Sequence, residues 1–138
     1  MTSNTKPIGV AYEDQNIIGP DFILSDSQLG YTATAQGTVT QATDKSTAVT
    51  LNKSAGRITL NAAALGATTN VSFTLNNSLI SSNDVLIVTL SGGIATAATY
   101  NCWVNSMSAG SASITLRNIS AGSLSEAVVI NFALIHCV

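Results

Sequence analysis

The chain has 138 residues, a formal net charge of -2 and a charged fraction of only 9%. This length corresponds to one domain with one hydrophobic core, and five scattered lysines and arginines are too few for a nucleic-acid surface. A typical domain has about 25% charged residues. The low charge therefore predicts that partner chains cover much of the surface, unless a neutral surface of Ser, Thr and Asn takes that role.

Membrane and secretion signals are absent from the sequence. No apolar run approaches the roughly 18 residues that a transmembrane helix requires, and the first ten residues, MTSNTKPIGV, do not have the charged and apolar regions of a signal peptide. We expect synthesis in the cytoplasm and no membrane partner. Cys102 and Cys137 lie in strand-like runs, so buried, reduced thiols are favoured over a disulfide.

The first 32 residues predict an extended N-terminal arm. Residues 1–26 contain one lysine and four acids, which sum to -3, whereas the remaining residues contain three acids and four bases, which sum to +1. Proline and glycine interrupt the apolar residues of this segment, so it cannot form its own core and needs a surface to dock on. The predicted partner-binding residues of the arm are Ile8, Tyr12, Glu13, Asp14, Ile17 and Phe22.

Residues 33–138 predict a β-sandwich body, because short runs with alternating apolar residues are separated by turn residues. In chain order the predicted strands are TATAQGTVTQ, AVTLN, RITLN, VSFTLN, DVLIVTLSGG, YNCWVNSMS, SAGSASITLRN and AVVINFALIHCV. KSAG between the second and third runs predicts a hairpin. NAAALGA favours a single helical turn, and DVLIVTLSGG is apolar on both faces, as in a central strand covered on both sides.

Eight such strands are typical of an antiparallel β-sandwich or jelly roll, and an immunoglobulin-like topology stays open. The closing strand is also apolar on both faces. It is therefore predicted to be central in its sheet or covered by another chain, because such a strand aggregates at an edge. The residues predicted to pack in the core or at a trimer contact are Phe73, Ile87, Ile114, Ile130 and Phe132.

Catalytic chemistry has little support in the sequence. His136 is the one histidine, and with Cys102 and Cys137 it does not give zinc-ligand spacing. Neither a nucleophile elbow nor a phosphate-binding lysine loop is present. Asp44 and Lys45 indicate a surface turn, and the acidic pair in the arm is expected to meet solvent or a partner's arginine. We predict no enzyme activity, no catalytic residue, no cofactor and no metal.

Three segments resemble tailed-phage virion proteins. The stretch QATDKSTAVTLNKSAGRITLNAAALGATTNVSFTLNNSLISSNDVLIV and the ending RNISAGSLSEAVVINFALI resemble a body that is widespread in these proteins, and KPIGVAYEDQNI resembles the start of small head-decoration proteins. The resemblance covers residues 38–135. The family often has TSKSTGVTLN where this chain has TDKSTAVTLN, so Asp44 and Ala48 depart from its pattern.

The resemblance implies a capsid decoration, or cement, protein. Such a protein binds the outer surface of the head as a homotrimer and staples neighbouring copies of the major capsid protein. The alternative is a tail-fibre or receptor-binding tip module, although 138 residues leave no room for an attachment domain and a shaft. A third alternative is a glycan-binding sandwich with Trp103 and Tyr100 as its platform, but the core is the favoured location of Trp103.

Overall fold

The computed structural model describes residues 28–137, and in that range it contains a short 3-10 helix and eight strands. Every strand overlaps one of the eight predicted runs, and β3 also includes Ala55 and Gly56 of the predicted KSAG turn. The helix spans Ala33–Ala35, and the strands are β1 Gln36–Thr40, β2 Val49–Thr50, β3 Ala55–Thr59, β4 Asn70–Asn76, β5 Val85–Gly92, β6 Tyr100–Ser108, β7 Ser111–Asn118 and β8 Val129–Ile135. The protein is therefore all-β, as predicted.

The strands form two four-stranded sheets, with the order β1-β3-β8-β5 in sheet 1 and β2-β4-β7-β6 in sheet 2. Both sheets are mixed, because β1 pairs with β3 and β2 pairs with β4 in parallel, while the other four pairings are antiparallel. The expectation of a purely antiparallel sandwich is therefore wrong. The first five strands alternate between the two sheets: β1, β3 and β5 belong to sheet 1, and β2 and β4 belong to sheet 2. Because the chain returns to the same sheet only at every second strand, β1 and β3 run in the same direction, and so do β2 and β4.

The predicted hairpin between AVTLN and RITLN is also wrong, since β2 lies in sheet 2 and β3 in sheet 1. The chain crosses between the sheets there, and Leu51 packs over the backbone of sheet 1. A Cβ added at Gly56 would lie 2.6 Å from Leu51 Cδ2 and 2.7 Å from Phe132 Cε1. The glycine therefore provides the space that these two core side chains occupy.

Buried side chains of both sheets join in one hydrophobic cluster, which is the arrangement of a β-sandwich. The predicted alternation holds along the strands that line it. The fully buried members include Ile58, Leu60, Leu75, Ile114, Leu116, Val128 and Ile130. The closing strand β8 lies between β3 and β5, so its predicted central position is confirmed. The central position predicted for β5 is wrong, because β5 forms an edge of sheet 1.

NAAALGA does not form the predicted helical turn. Leu65 instead exchanges two backbone hydrogen bonds with Leu124, at 2.8 and 3.0 Å, so the segment is extended and paired with the loop after β7. Tertiary pairing outweighs the helix propensity of a short Ala-rich run. This pairing brings two loops together at the end of sheet 2.

Asn118, at the end of β7, fastens these two loops. Its side-chain nitrogen lies 2.7–3.0 Å from the carbonyl oxygens of Leu65, Gly66 and Gly122. Its side-chain oxygen accepts hydrogen bonds from the backbone and hydroxyl groups of Ser120, at 2.9 and 2.7 Å. Asn118 is fully buried, and every polar atom of its side chain has a partner, as buried polar groups require.

Candidate interaction surfaces

The structure places the residues predicted for packing in two different settings. Phe73, Ile114, Ile130 and Phe132 are buried in the core, whereas Ile87 is 47% exposed on the outer side of sheet 1. Ile87 therefore does not belong to the core of the single chain, and a role at a trimer contact remains a prediction. The predicted arm residues, Ile8, Tyr12, Glu13, Asp14, Ile17 and Phe22, lie outside the described residues.

An exposed apolar surface lies where β5 and β8 pair on the outer side of sheet 1. Val85 is 50% exposed, Ile87 is 47% exposed and Ile135 is 50% exposed, and we call these three residues the edge patch. Val85 lies directly opposite Ile135 in the register, and Ile87 lies opposite Ala133. Because β5 is an edge strand within residues 28–137, the patch is continuous with a row of backbone groups that no strand of this range covers.

A polar row crosses the same side of sheet 1 next to the edge patch. In the register it runs from Thr38 through Arg57 and Asn131 to Thr89. Arg57 is exposed, and no salt bridge to it occurs within residues 28–137. The outer side of sheet 1 therefore offers apolar contacts at one end and a single positive charge beside them.

Asp84 anchors the strand end that carries Ile135. Its buried carboxylate accepts hydrogen bonds from the backbone and hydroxyl groups of Ser81, at 2.8 and 2.7 Å, and from the backbone of Cys137 at 3.0 Å. The ring of His136 lies 2.8 Å from the same carboxylate. Burial disfavours the charge, but these hydrogen bonds outweigh it and hold the pKa of Asp84 far below its usual value.

The outer side of sheet 2 is polar and contains the one tryptophan of the chain. Trp103 lies opposite Thr115, which in turn lies opposite Ser72. The core side of the same strands is formed by other residues, so the core location predicted for Trp103 is wrong. Tyr100, the second residue of the predicted aromatic platform, is buried in the core instead. The two aromatic rings therefore do not form one surface.

A buried polar cluster lies before the start of β8, at the opposite end of that strand from Asp84. Lys45 is buried, and its amine donates hydrogen bonds to the carbonyl oxygens of Asn61 and of Glu126, the latter at 2.6 Å. Asp44 is exposed, so the surface turn predicted for Asp44 and Lys45 holds only for Asp44. Burial lowers the pKa of Lys45, and the nearby Glu126 carboxylate partly opposes this shift. Lys45 has a structural role, because its amine is hydrogen-bonded to two carbonyl oxygens from different parts of the chain.

The hydroxyl of Tyr100 points to the same cluster. Burial and the Glu126 carboxylate raise the pKa of Tyr100 to about 12, so the phenol stays protonated. Glu126 Oε1 accepts the backbone N–H of Ala95 at 2.8 Å, whereas Glu126 Oε2 and the Tyr100 hydroxyl have no hydrogen-bond partner among the described residues. The cluster ties the segment before β8 to two neighbouring loops.

Metal-ligating and redox groups are sparse in the described part of the chain. Residues 28–137 contain no group of three or more His, Cys, Asp or Glu residues that could hold a metal ion. Cys102 is partly buried and Cys137 is exposed, and both are free thiols. The buried location predicted for Cys137 is therefore wrong, because it follows the end of β8. In the same range, no helix is long and apolar enough to cross a membrane.

Sequence reasoning missed Val85 and Ile135 as surface residues. Both lie in runs that are apolar on both faces, and that two-faced pattern was the available signal. For DVLIVTLSGG this pattern predicts a strand covered on both sides, and for the closing strand it predicts either a central position or a cover by another chain. A scan against protein-family models, a search of curated proteins and a search of solved structures each found no match to this chain.

Proposed function

We propose that this chain is a structural protein of a tailed-phage virion, which binds the outer surface of the head as a homotrimer and staples neighbouring copies of the major capsid protein. The observation that carries the proposal is the edge patch, which exposes three aliphatic side chains in a protein with very little charge. A surface of this kind favours a protein that works in contact with partner chains. The sequence resemblance described above supports a phage virion as the place of that contact.

The free energy of burying the edge patch can be compared with the free-energy cost of association. Covering the exposed half of a Val or Ile side chain contributes about 1 kcal/mol, so the three residues contribute roughly 3 kcal/mol per copy. Association costs at least about 4 kcal/mol. The patch therefore orients the contact between copies, and the arm and the capsid surface must supply the remaining affinity.

The trimer is testable with a pair of variants on one strand. We expect the wild-type protein to be a trimer at micromolar concentration in multi-angle light scattering. Ile87→Glu places a charge in the contact, where an unpaired carboxylate is costly to bury, and should give a monomer. Thr89→Glu, on the same strand and the same side, is the control and should remain a trimer. A monomeric wild type, or a trimeric Ile87→Glu variant, would contradict this assembly.

Capsid attachment is testable by deletion of the arm. Removing residues 1–26 should leave the body folded and sharply reduce the number of copies that bind to shells lacking the protein. Added salt should reduce binding of the full chain only modestly, because apolar residues such as Ile8, Tyr12 and Phe22 are expected to supply most of the affinity, and exposed ion pairs contribute little. The measurement is a count of bound copies after sedimentation. Undiminished binding of the truncated chain would show that the body alone holds the shell.

Localisation in an intact virion separates this proposal from the tail-fibre alternative. Antibodies raised against the body should label the head in negative-stain images if the protein decorates the capsid. Labelling confined to the tail tip would support a receptor-binding module instead. The two outcomes are distinct because the head and the tail tip lie at opposite ends of the particle.

A further inference from the structure

The outer side of sheet 2 differs in chemistry from the outer side of sheet 1. Its register positions carry hydroxyl and amide side chains, one indole and one guanidinium group, and no acid. These positions are Thr50, Asn70, Ser72, Thr74, Asn76, Asn101, Trp103, Ser106, Ser108, Ser111, Ser113, Thr115 and Arg117. A protein-protein contact favours an apolar centre, which this surface does not have.

Trp103 is the one large apolar group on this surface and lies on β6, an edge strand of sheet 2. It is partly exposed, while Thr115, directly opposite it in the register, is buried at 3% exposure. The hydroxyl groups of Thr115 and Ser72 form a hydrogen bond of 2.7 Å. Trp103 therefore lies in the same register row as a hydrogen-bonded pair of hydroxyl groups.

Hydrogen-bonding groups flank the indole on the same surface. The next row of the register consists of Asn70, Arg117 and Asn101, and all three are exposed. Amide groups both donate and accept hydrogen bonds, and a guanidinium group donates several. The face of an aromatic ring carries a partial negative charge, so it attracts polarised C–H groups.

We propose that this surface is a binding site for a neutral oligosaccharide, with Trp103 stacked on one pyranose ring and the Asn70–Arg117–Asn101 row bonded to the hydroxyl groups of that ring or the next. A pyranose with equatorial substituents presents axial C–H groups on its faces and hydroxyl groups around its rim. The Trp103 ring and the polar row match these two features. Because the sheet surface is open, it accommodates an extended chain of sugars better than a single sugar.

This site is separate from the proposed contact between copies, since it lies on the other sheet from the edge patch. A shallow, open site gives weak binding in one copy, because few ligand atoms are buried. Many copies on one particle raise the overall affinity through avidity. Decorated heads carrying this site would adhere to polysaccharide surfaces even where an isolated copy binds weakly.

The single tryptophan makes the test direct, because the indole fluorescence of the chain comes from Trp103 alone. The wild-type protein is titrated with hexa-N-acetylchitohexaose, cellohexaose and maltohexaose, each to about 10 mM, ten times a Kd of about 1 mM. We expect a saturable change in emission with at least one of these sugars, and little effect of added salt. The absence of a saturable change with all three would overturn the proposal.

Two exposed arginines provide a matched pair of variants. Arg117 and Arg57 each lie on an inner strand of a four-stranded sheet, and both are exposed. Arg117→Ala should weaken binding about tenfold, as expected from the loss of one charged hydrogen bond, and Arg57→Ala should leave it unchanged. Equal affinities of the two variants would overturn the assigned site. Trp103→Ala, followed by calorimetry, should abolish binding, and if that variant does not fold, the arginine pair still decides the outcome.

Discussion

Phe132→Ala should lower the free energy of unfolding by about 3–5 kcal/mol, the range found when a buried phenylalanine is truncated. Phe132 is 4% exposed in the middle of β8, and it lies opposite Gly56 on one neighbouring strand and Val88 on the other. Its ring fills the space that the missing side chain of Gly56 leaves. The truncation therefore opens a cavity that neither neighbouring strand can close.

The measurement is urea denaturation at fixed protein concentration, because self-association makes the apparent stability depend on concentration. Asn131→Ala is the matched control, since Asn131 is the preceding residue of β8 and is exposed on the outer side of sheet 1. Its substitution should change the free energy of unfolding by no more than about 0.5 kcal/mol. A loss below about 1 kcal/mol for Phe132→Ala would show that β8 does not contribute its inner side to the core.

The strands of this protein could be predicted from the sequence because alternation is a local property. Phe73 and Ile114 face the core for the same reason that their neighbours face outward, namely that successive side chains of a strand point to opposite sides. Pairing between strands is not a local property. The chain crosses from sheet 2 to sheet 1 after Leu51. The turn signal of KSAG is the same whether the next strand pairs with the preceding one or joins the other sheet.

The candidate surfaces could be predicted only in part. The apolar pattern of DVLIVTLSGG indicated that both sides of β5 avoid water, but it could not indicate whether the cover comes from the same chain. Trp103 was assigned to the core because tryptophan is usually well buried, although its neighbours Asn101 and Asn105 share its side of the alternating pattern. Lys45 gave no signal of burial, because its carbonyl partners lie 16 and 81 residues away in the sequence.

The two outer sides of the sandwich have chemistries that suit different partners. Sheet 1 presents the edge patch beside Arg57, a combination that fits another copy of a protein chain whose N-terminal segment is acidic. Sheet 2 presents hydroxyl and amide groups and the Arg117 guanidinium around Trp103. A copy that meets its neighbours through the outer side of sheet 1 keeps the outer side of sheet 2 free, so the two proposals are compatible in one particle.

Asn118→Asp should be among the most damaging substitutions in the body, although it hardly changes the shape of the side chain. The nitrogen of Asn118 lies within 3.0 Å of three carbonyl oxygens, and the substitution replaces it with an oxygen. An ionised carboxylate cannot donate to these carbonyls and is repelled by them. We expect a loss of about 3–5 kcal/mol near neutral pH, the range for a buried charge left without compensation.

The pH dependence separates this cause from a simple packing defect. The carbonyl groups disfavour the charged form, so the introduced carboxyl has a higher pKa in the folded chain than its value of about 3.9 in the unfolded chain. Between these two values the folded state binds the extra proton, and the stability of the variant therefore recovers as the pH falls. Urea denaturation of Asn118→Asp and of the wild type near pH 7 and near pH 4.5 should show the difference between them shrinking at the lower pH, since a protonated carboxyl donates one hydrogen bond again. The control is Asn105→Asp, at an exposed position of β6, which should have the stability of the wild type at both pH values. If Asn118→Asp instead lost equally large amounts of stability at both pH values, the carbonyl contacts would not be the cause of the loss.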